Sequence, residues 1–473
     1  MRFGPRRTIG KGLAGLLLYI LAATTILPSA RAADTGTDGG KPLSGITDIA
    51  YGSQLSAALA SDGTIWYWSG NGEARRGPVV KDASQLTSDL VLKKDGTVWS
   101  WNSESGTVVQ VEGLGGIAKI TSGQFGHLAL ERSGKLWAWG GTCQVALATK
   151  NAYWGDICSS TDSEAVKQAL DELEIMPALV GEHIKDADFK ADLAFIDASG
   201  TVIQHYSGDN VHFGFYSYKV PAPREALAVT GTSTPSNRGI VFILDDKGSI
   251  GIGGFDVLES YKWNVTFKSM DGGVTGSAYA LAIDNSDAVW ALTGFGNKPA
   301  AVRLPGLGDI RKVVARSINS GLALTEDGRV MRWGPAEPDW QHESTALTAN
   351  VHPQPVNAAI SVTWNGKPMV LSAAPVLRDG TVLVPMRELF EAFGTTVAYK
   401  DSVVSAAKGS RAIKLTVYSR TAVVDGRKVA LGTAPTYVGG KTYVPLRFLS
   451  ESLGAKVAWE TDRNNAAIVL PAG

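Results

Sequence analysis

The sequence predicts a mainly β protein, a seven-bladed β-propeller followed by a small α+β C-terminal domain. Three observations carry that prediction. A strand-rich unit returns seven times at a spacing near 40 residues, the period of a four-stranded propeller blade. The composition changes after Gly334. Beyond that point a different unit occurs twice, offset by 60 residues without a gap.

The first repeat shows most plainly in "SDGTIWYW" (61–68), "KDGTVWSW" (94–101) and "RSGKLWAW" (132–139), each a turn followed by a strand with two tryptophans. Aligned on that turn, the units cover 46–68, 79–101, 117–139, 184–206, a looser 226–254, then 265–292 and 310–334. The turn positions are Gly63, Gly96, Gly134, Gly200, Gly248, Asp287 and Gly328, with steps of 33, 38, 66, 48, 39 and 41 residues. Glycine or aspartate suits each because both accept the positive φ that tight hairpins need. In "GTIWYW" the period of two puts Trp66 and Trp68 on one strand face and Ile65 and Tyr67 on the other. Stacked blades bury both faces. The return of the pattern at Trp99/Trp101, Trp137/Trp139, Trp290 and Trp333 therefore points to inter-blade packing rather than a ligand platform.

These motifs resemble the regulator-of-chromosome-condensation type of propeller repeat, whose core reads apolar-x-x-D-G-x-apolar-W-x-W-G. The resemblance covers residues 44–334 and is strongest in units one, two, three and seven. It implies a seven-bladed ring but no single function, because such rings serve as exchange factors, inhibitors and adaptors.

Residues 1–32 read as a signal peptide, with an uncleaved membrane anchor as the alternative. Arg2, Arg6, Arg7 and Lys11 precede the apolar run Leu13–Ala23, and Ala30-Arg31-Ala32 is a small-x-small cleavage site with Ala33 next. Removing its five basic residues leaves 40 basic against 45 acidic, a net charge of −5. Without a basic face, nucleic acid is not an expected partner. No further stretch suffices for a membrane span in the mature chain. A secreted or cell-envelope-associated protein is expected, and a nuclear exchange role is not. Cys143 and Cys158 then read as a disulfide closing a short loop.

Residues 335–359, with four prolines, read as a linker or an irregular closing segment. In the C-terminal domain, 360–473, the segment 364–399 aligns with 424–459. "NGK" and "DGR" predict hairpin turns. Pro385 and Pro445 suit a helix start, and Gly394 and Gly454 its end. Met386, Leu389, Phe390 and Phe393 then form one buried face. Arg387 and Arg447 stand near a helix N-terminus, where the macrodipole opposes positive charge. Their presence in both copies marks them as candidate anchors, either structural or for a ligand.

"VPMRELFEAFG" and "VPLRFLSESLG" resemble the N-terminal domain of copper amine oxidases, a non-catalytic appendage. The resemblance implies an antiparallel sheet around helices. It implies no oxidase chemistry: the chain has no Asn-Tyr dipeptide for a quinone precursor and no histidine after His352.

Nothing else nominates an enzyme. His127, His183, His205, His212, His342 and His352 lack the short spacing of a metal site, although His205 and His212 flank a predicted hairpin. No nucleophile elbow, phosphate loop or dinucleotide fingerprint occurs. No metal or cofactor is expected. The most distinctive candidate is the insertion 141–177, where the Cys143–Cys158 loop displays Tyr153, Trp154 and Asp156 before a helix capped by Ser160, Thr161 or Asp162. A pinned aromatic loop is suited to binding, because little ordering entropy remains to be lost. The expected function is a non-catalytic interaction protein for an extracellular protein or cell-wall glycan. Two other readings stand beside it: a polysaccharide-acting enzyme with carboxylates in the propeller channel, and a structural spacer.

Overall fold

A computed structural model describes residues 40–52, 55–123, 126–140, 177–190, 192–207, 215–221, 226–233, 239–254, 257–260, 263–273, 279–293, 300–317, 319–334, 351–460 and 464–470. Seven four-stranded antiparallel sheets follow one another along 46–355, each with its strands side by side in chain order. The first strand of each sheet packs on the first strand of the next, and the seventh packs on the first, which closes a ring. These inner strands are Ile46–Tyr51, Ala83–Leu86, Ile117–Gly123, Ile184–Phe189, Ala226–Ser233, Phe267–Gly272 and Ile310–Ser317.

Seven buried apolar clusters fill the seven seams between consecutive blades. The alternation in "TIWYW" assigns each side chain to a seam. Trp66 and Trp68 enter the cluster shared with blade seven, while Ile65 and Tyr67 enter the one shared with blade two. Trp101, Trp139 and Trp333 are likewise buried. Trp99, Trp137 and Trp290 are half-buried, each indole N–H satisfied by a nearby side chain: Thr97, Glu131 and Asp284.

All seven turn positions have positive φ, from 63° at Asp287 to 89° at Gly134. The turn also touches the following blade. The Gly96, Gly134, Gly248 and Asp287 carbonyls each accept the N–H that opens the next inner strand, and Ile46 N–H donates to Gly328 O across the closure (3.0 Å). At Gly63 a Cβ would lie 2.2 Å from Val80 O, so conformation and space both demand glycine there.

Each inner strand carries a register shift between its first and third residues, leaving Thr47, Ser84, Ala118, Lys185, Leu227, Lys268 and Arg311 as the extra residue. Such bulges kink a strand and re-aim the side chain that follows.

Residues 354–359 lie at the end of the segment expected as a linker or closing piece. Gln354–Pro355 forms the outer strand of blade seven. Val356 O accepts from Leu43 N–H (2.8 Å), and Asn357 O accepts from Ala74 N–H (2.8 Å). Ala358 N–H donates to Lys41 O (2.8 Å). This strip ties the chain entry to blade one.

The C-terminal domain has a four-stranded central sheet in the order Val376–Arg378, Thr381–Pro385, Lys441–Pro445, Thr436–Val438. Leu383 pairs with Pro445, Val384 with Val444, and Pro385 with Tyr443, so the two copies meet about a pseudo-twofold axis at Val384/Val444. A five-stranded sheet over 396–430 and a second four-stranded sheet complete it. Asn365-Gly366 and Asp425-Gly426 all have positive φ, as two-residue hairpins require. Helices α1 (Met386–Ala392) and α2 (Leu446–Ser452) start one residue after Pro385 and Pro445, which act as N-caps rather than first helical residues. Leu389, Phe390 and Phe393 are buried in one core with Leu446, Leu449 and Leu453, and Met386 is packed against it.

Candidate functional site

The inner strands of all seven blades surround a central cavity of about 260 Å³. Each inner strand is a sheet edge, paired on one side only, so its other row of N–H and C=O groups needs partners. The third and fifth residues of the preceding inner strand supply them. Leu86 N–H donates to Asp48 Oδ2 (2.7 Å), Ile120 N–H to Gln85 Oε1 (2.9 Å), and Val229 N–H to Asp186 Oδ2 (3.0 Å). One step along the strands, Phe189 N–H donates to Thr121 Oγ1 (3.2 Å), Gly272 N–H to Thr230 Oγ1 (3.0 Å), and Ala315 N–H to Asp271 Oδ2 (2.8 Å).

Ion pairs and hydroxyls complete the circuit. Lys119 Nζ donates to Asp186 Oδ1 (2.6 Å), and Lys312 of blade seven pairs with Asp48 of blade one. Lys190 Nζ lies 3.1 Å from Asp271 Oδ1. Thr121 and Thr230 donate to the two oxygens of Asp188 (2.7 and 2.6 Å). All seven seams are thus bridged by polar side chains. Three aspartates, Asp186, Asp188 and Asp271, do line the channel, as the enzyme reading requires, but both oxygens of each are engaged by groups of other blades.

Burial pulls Lys119 down, but Asp186 and Asp188 outweigh it and hold its pKa above the ordinary lysine value. Lys190 behaves likewise, through Asp271 and Asp188. Burial raises Asp271, with Lys190 opposing and Asp188 adding to the rise. Beside this ring, Asp192 is fully buried and accepts from Gln204 Nε2 (2.9 Å). Burial pushes its carboxyl well above the carboxylate range. His127 is depressed by burial against the pull of Asp89, and its ring lies against Trp139.

Tyr153, Trp154, Asp156, Cys143 and Cys158 lie outside the described residues, as do His212 and His342. His205 is buried with its ring against Phe195, while His183 and His352 are exposed. Among the described residues, no three His, Cys, Asp or Glu side chains come together as metal ligands.

Arg387 and Arg447 stand apart from the core, without a hydrogen bond or ion pair among the described residues. Both are exposed, neither hydrogen-bonds to a described residue, and neither closes the i,i+4 pair with Glu391 or Glu451. The helix start pushes the guanidinium outward, since the neighbouring positions Leu389, Phe390 and Leu446, Leu449 take the core. Arg447 instead borders a cavity of about 560 Å³, walled by Leu377, Val382, Phe448 and Trp459.

Sequence reasoning missed the polar ring. Its signal was present: Asp48, Gln85, Lys119, Asp186 and Lys312 occupy the third position of strands otherwise suited to burial.

Residues 363–468 match the family model of the copper amine oxidase N-terminal domain. Among solved structures, the chain is similar to human WBSCR16, at 13% identity over 59% of this chain and 87% of that one (TM-score 0.42). Yeast RCC1 (Prp20), solved with Kap60, is similar at 13% identity over 60% and 69% (TM-score 0.33). PorZ, a surface component of the type-IX secretion system of Porphyromonas gingivalis, is similar at 10% identity over 86% of this chain and 56% of that one (TM-score 0.41). No curated protein matches the sequence. The C-terminal domain thus matches the copper amine oxidase N-terminal domain over residues 363–468, and the seven sheets before it close into a β-propeller.

Proposed function

We propose that the protein is a secreted or cell-envelope-associated, non-catalytic binding protein whose propeller is a rigid scaffold for its loops. The observation that carries this reading is the state of the channel. A glycosidase needs one carboxyl free to donate a proton and another free to attack or to activate water. Asp48, Asp186, Asp188 and Asp271 instead accept from backbone N–H, lysine and threonine groups of adjacent blades. Their chemistry is spent on closing the ring.

The partner in this reading is an extracellular protein or a cell-wall glycan. It is met by the loop 141–177 through Tyr153, Trp154 and Asp156, with Cys143 and Cys158 joined. Glycan-array and pull-down binding of the chain from Ala33 onward tests it. Retained binding in wild type and its loss in Trp154→Ala are expected. Equal binding by both forms removes the loop from the site. Hydrolysis of a bound polysaccharide that stops in Asp188→Asn would establish the enzyme instead.

A further inference from the structure

We propose that the cavity beside Arg447 is a binding site for an amphipathic organic anion, a carboxylate or sulfonate carried on an aromatic or aliphatic body. This inference stands apart from the propeller's partner, since it rests only on the C-terminal domain and the chain entry at Lys41.

The cavity volume, about 560 Å³, falls in the range of small-molecule sites. Its walls are mainly apolar, with Phe448 and Trp459 as the aromatic surfaces. Two cations, Arg447 and Lys41, border it. Both are exposed, and neither side chain has an ion pair or hydrogen bond among the described residues. Among the described residues that line the cavity Glu451 is the one acidic residue, so among them positive charge is in excess. An arginine fork recognises a carboxylate or sulfonate, and the walls recognise the body that carries it. A neutral sugar would find too few polar partners on such walls.

The internal repeat supplies an independent observation. At the 60-residue offset, Gly432, Phe448, Thr381, Leu377 and Trp459 correspond to Ser372, Glu388, Lys441, Tyr437 and Tyr399. In the first copy these residues are linked to one another across the equivalent positions. Ser372 N–H donates to Glu388 Oε1 (3.1 Å), Lys441 Nζ donates to Ser372 O (2.7 Å), and Tyr399 meets Tyr437 edge-on at 6.3 Å. None of these three links can form in the second copy. Phe448 has no carboxylate, Thr381 is too short for the lysine's reach, and Leu377 has no ring. One fold thus carries these links in its first copy and lacks them in its second, where a cavity opens beside an arginine that has no partner among the described residues.

The test titrates the full chain with 8-anilinonaphthalene-1-sulfonate by fluorescence, and with decanoate and its neutral counterpart decanol by calorimetry. Saturable one-site binding of at least one of the two anions, with decanol at least tenfold weaker, is expected. The sulfonate and carboxylate arms distinguish an aromatic from an aliphatic body. Arg447→Gln should weaken anion binding about tenfold, the scale of one lost charged hydrogen bond. Arg387→Gln, its counterpart in the first copy, should leave binding unchanged. The triple variant Gly432→Ser, Thr381→Lys, Phe448→Glu transplants the first copy's linked residues and should abolish binding. Absence of binding to wild type, equal affinity in Arg447→Gln, or equal affinity for decanol overturns the proposal. Arg447 is exposed, so that variant stays informative even where the triple variant fails to fold.

Discussion

The propeller and the C-terminal domain both repeat charged residues, and they put them to opposite uses. In the ring, Asp48, Lys119, Asp186 and Lys312 recur at one strand position, and every one of them bridges to another blade. In the C-terminal domain, Arg387 and Arg447 recur at one helix position and bridge to nothing described. The difference is geometric. An inner strand has an unpaired edge that must be satisfied, so a polar side chain at a bulge is drawn into the seam. The first turn of a short helix has its core-facing positions already filled, so its arginine is left in solvent. Recurrence alone therefore does not separate structure from function; the hydrogen-bond demand of the neighbouring backbone does.

The sharpest way to break this comparison is to remove one ring acceptor. Asp186→Ala strands Lys119 Nζ and Val229 N–H together, and should cost on the order of 2–4 kcal/mol. A shift of the urea midpoint to lower concentration at constant slope would show it. An unchanged midpoint would mean that the ring is ornamental. Gly63→Ala should follow at about 2 kcal/mol or more, from its positive φ and the approach of Val80 O. A thermal melt indistinguishable from wild type would count against the turn's close approach to the next blade.

Asp192 sharpens the electrostatic side. Its folded pKa is raised well above 3.8, so between the unfolded value and the raised one the folded state holds the extra proton. Stability contributed by that proton is complete below the unfolded pKa and is lost as pH rises through the folded value. Asp192→Asn retains an acceptor for Gln204 without the buried charge. Its melting temperature should therefore gain on wild type from pH 4 to pH 8. An equal difference at both pH values would show that Asp192 does not titrate in this window. The smallest effect belongs to the arginines: Arg387→Gln and Arg447→Gln should each change stability by less than about 0.5 kcal/mol. A larger loss in chemical denaturation would support the structural anchor role.

Much of the architecture was legible because its causes are local. Seven turns with positive φ follow from the Gly or Asp of each unit, and the alternation Ile65-Trp66-Tyr67-Trp68 follows from the pleat. The buried face of α1 follows from helical spacing, and the hairpins at Asn365-Gly366 and Asp425-Gly426 from their dipeptides. The bulge after the first residue of every inner strand was not legible, because an extra residue is defined only against the partner strand. The strip 354–359 was equally hidden. Its prolines and lack of period read as linker or closing piece, and only the docking of Leu43 and Ala74 on its carbonyls shows what it closes.

The sequence by itself determined a strand-rich seven-fold repeat, tryptophans committed to seams, and a two-fold C-terminal unit, since each depends on residues a few positions apart. Tertiary structure alone decided which polar groups are consumed and which remain free. Asp48 meets Leu86 N–H across 38 residues and Lys312 across 264, and the links that Glu388 and Lys441 make to Ser372 have no counterpart at Phe448 and Thr381, which line an open cavity. Partnerships at those separations are set by ring closure and by the pseudo-twofold axis, which bring together groups that no local pattern relates.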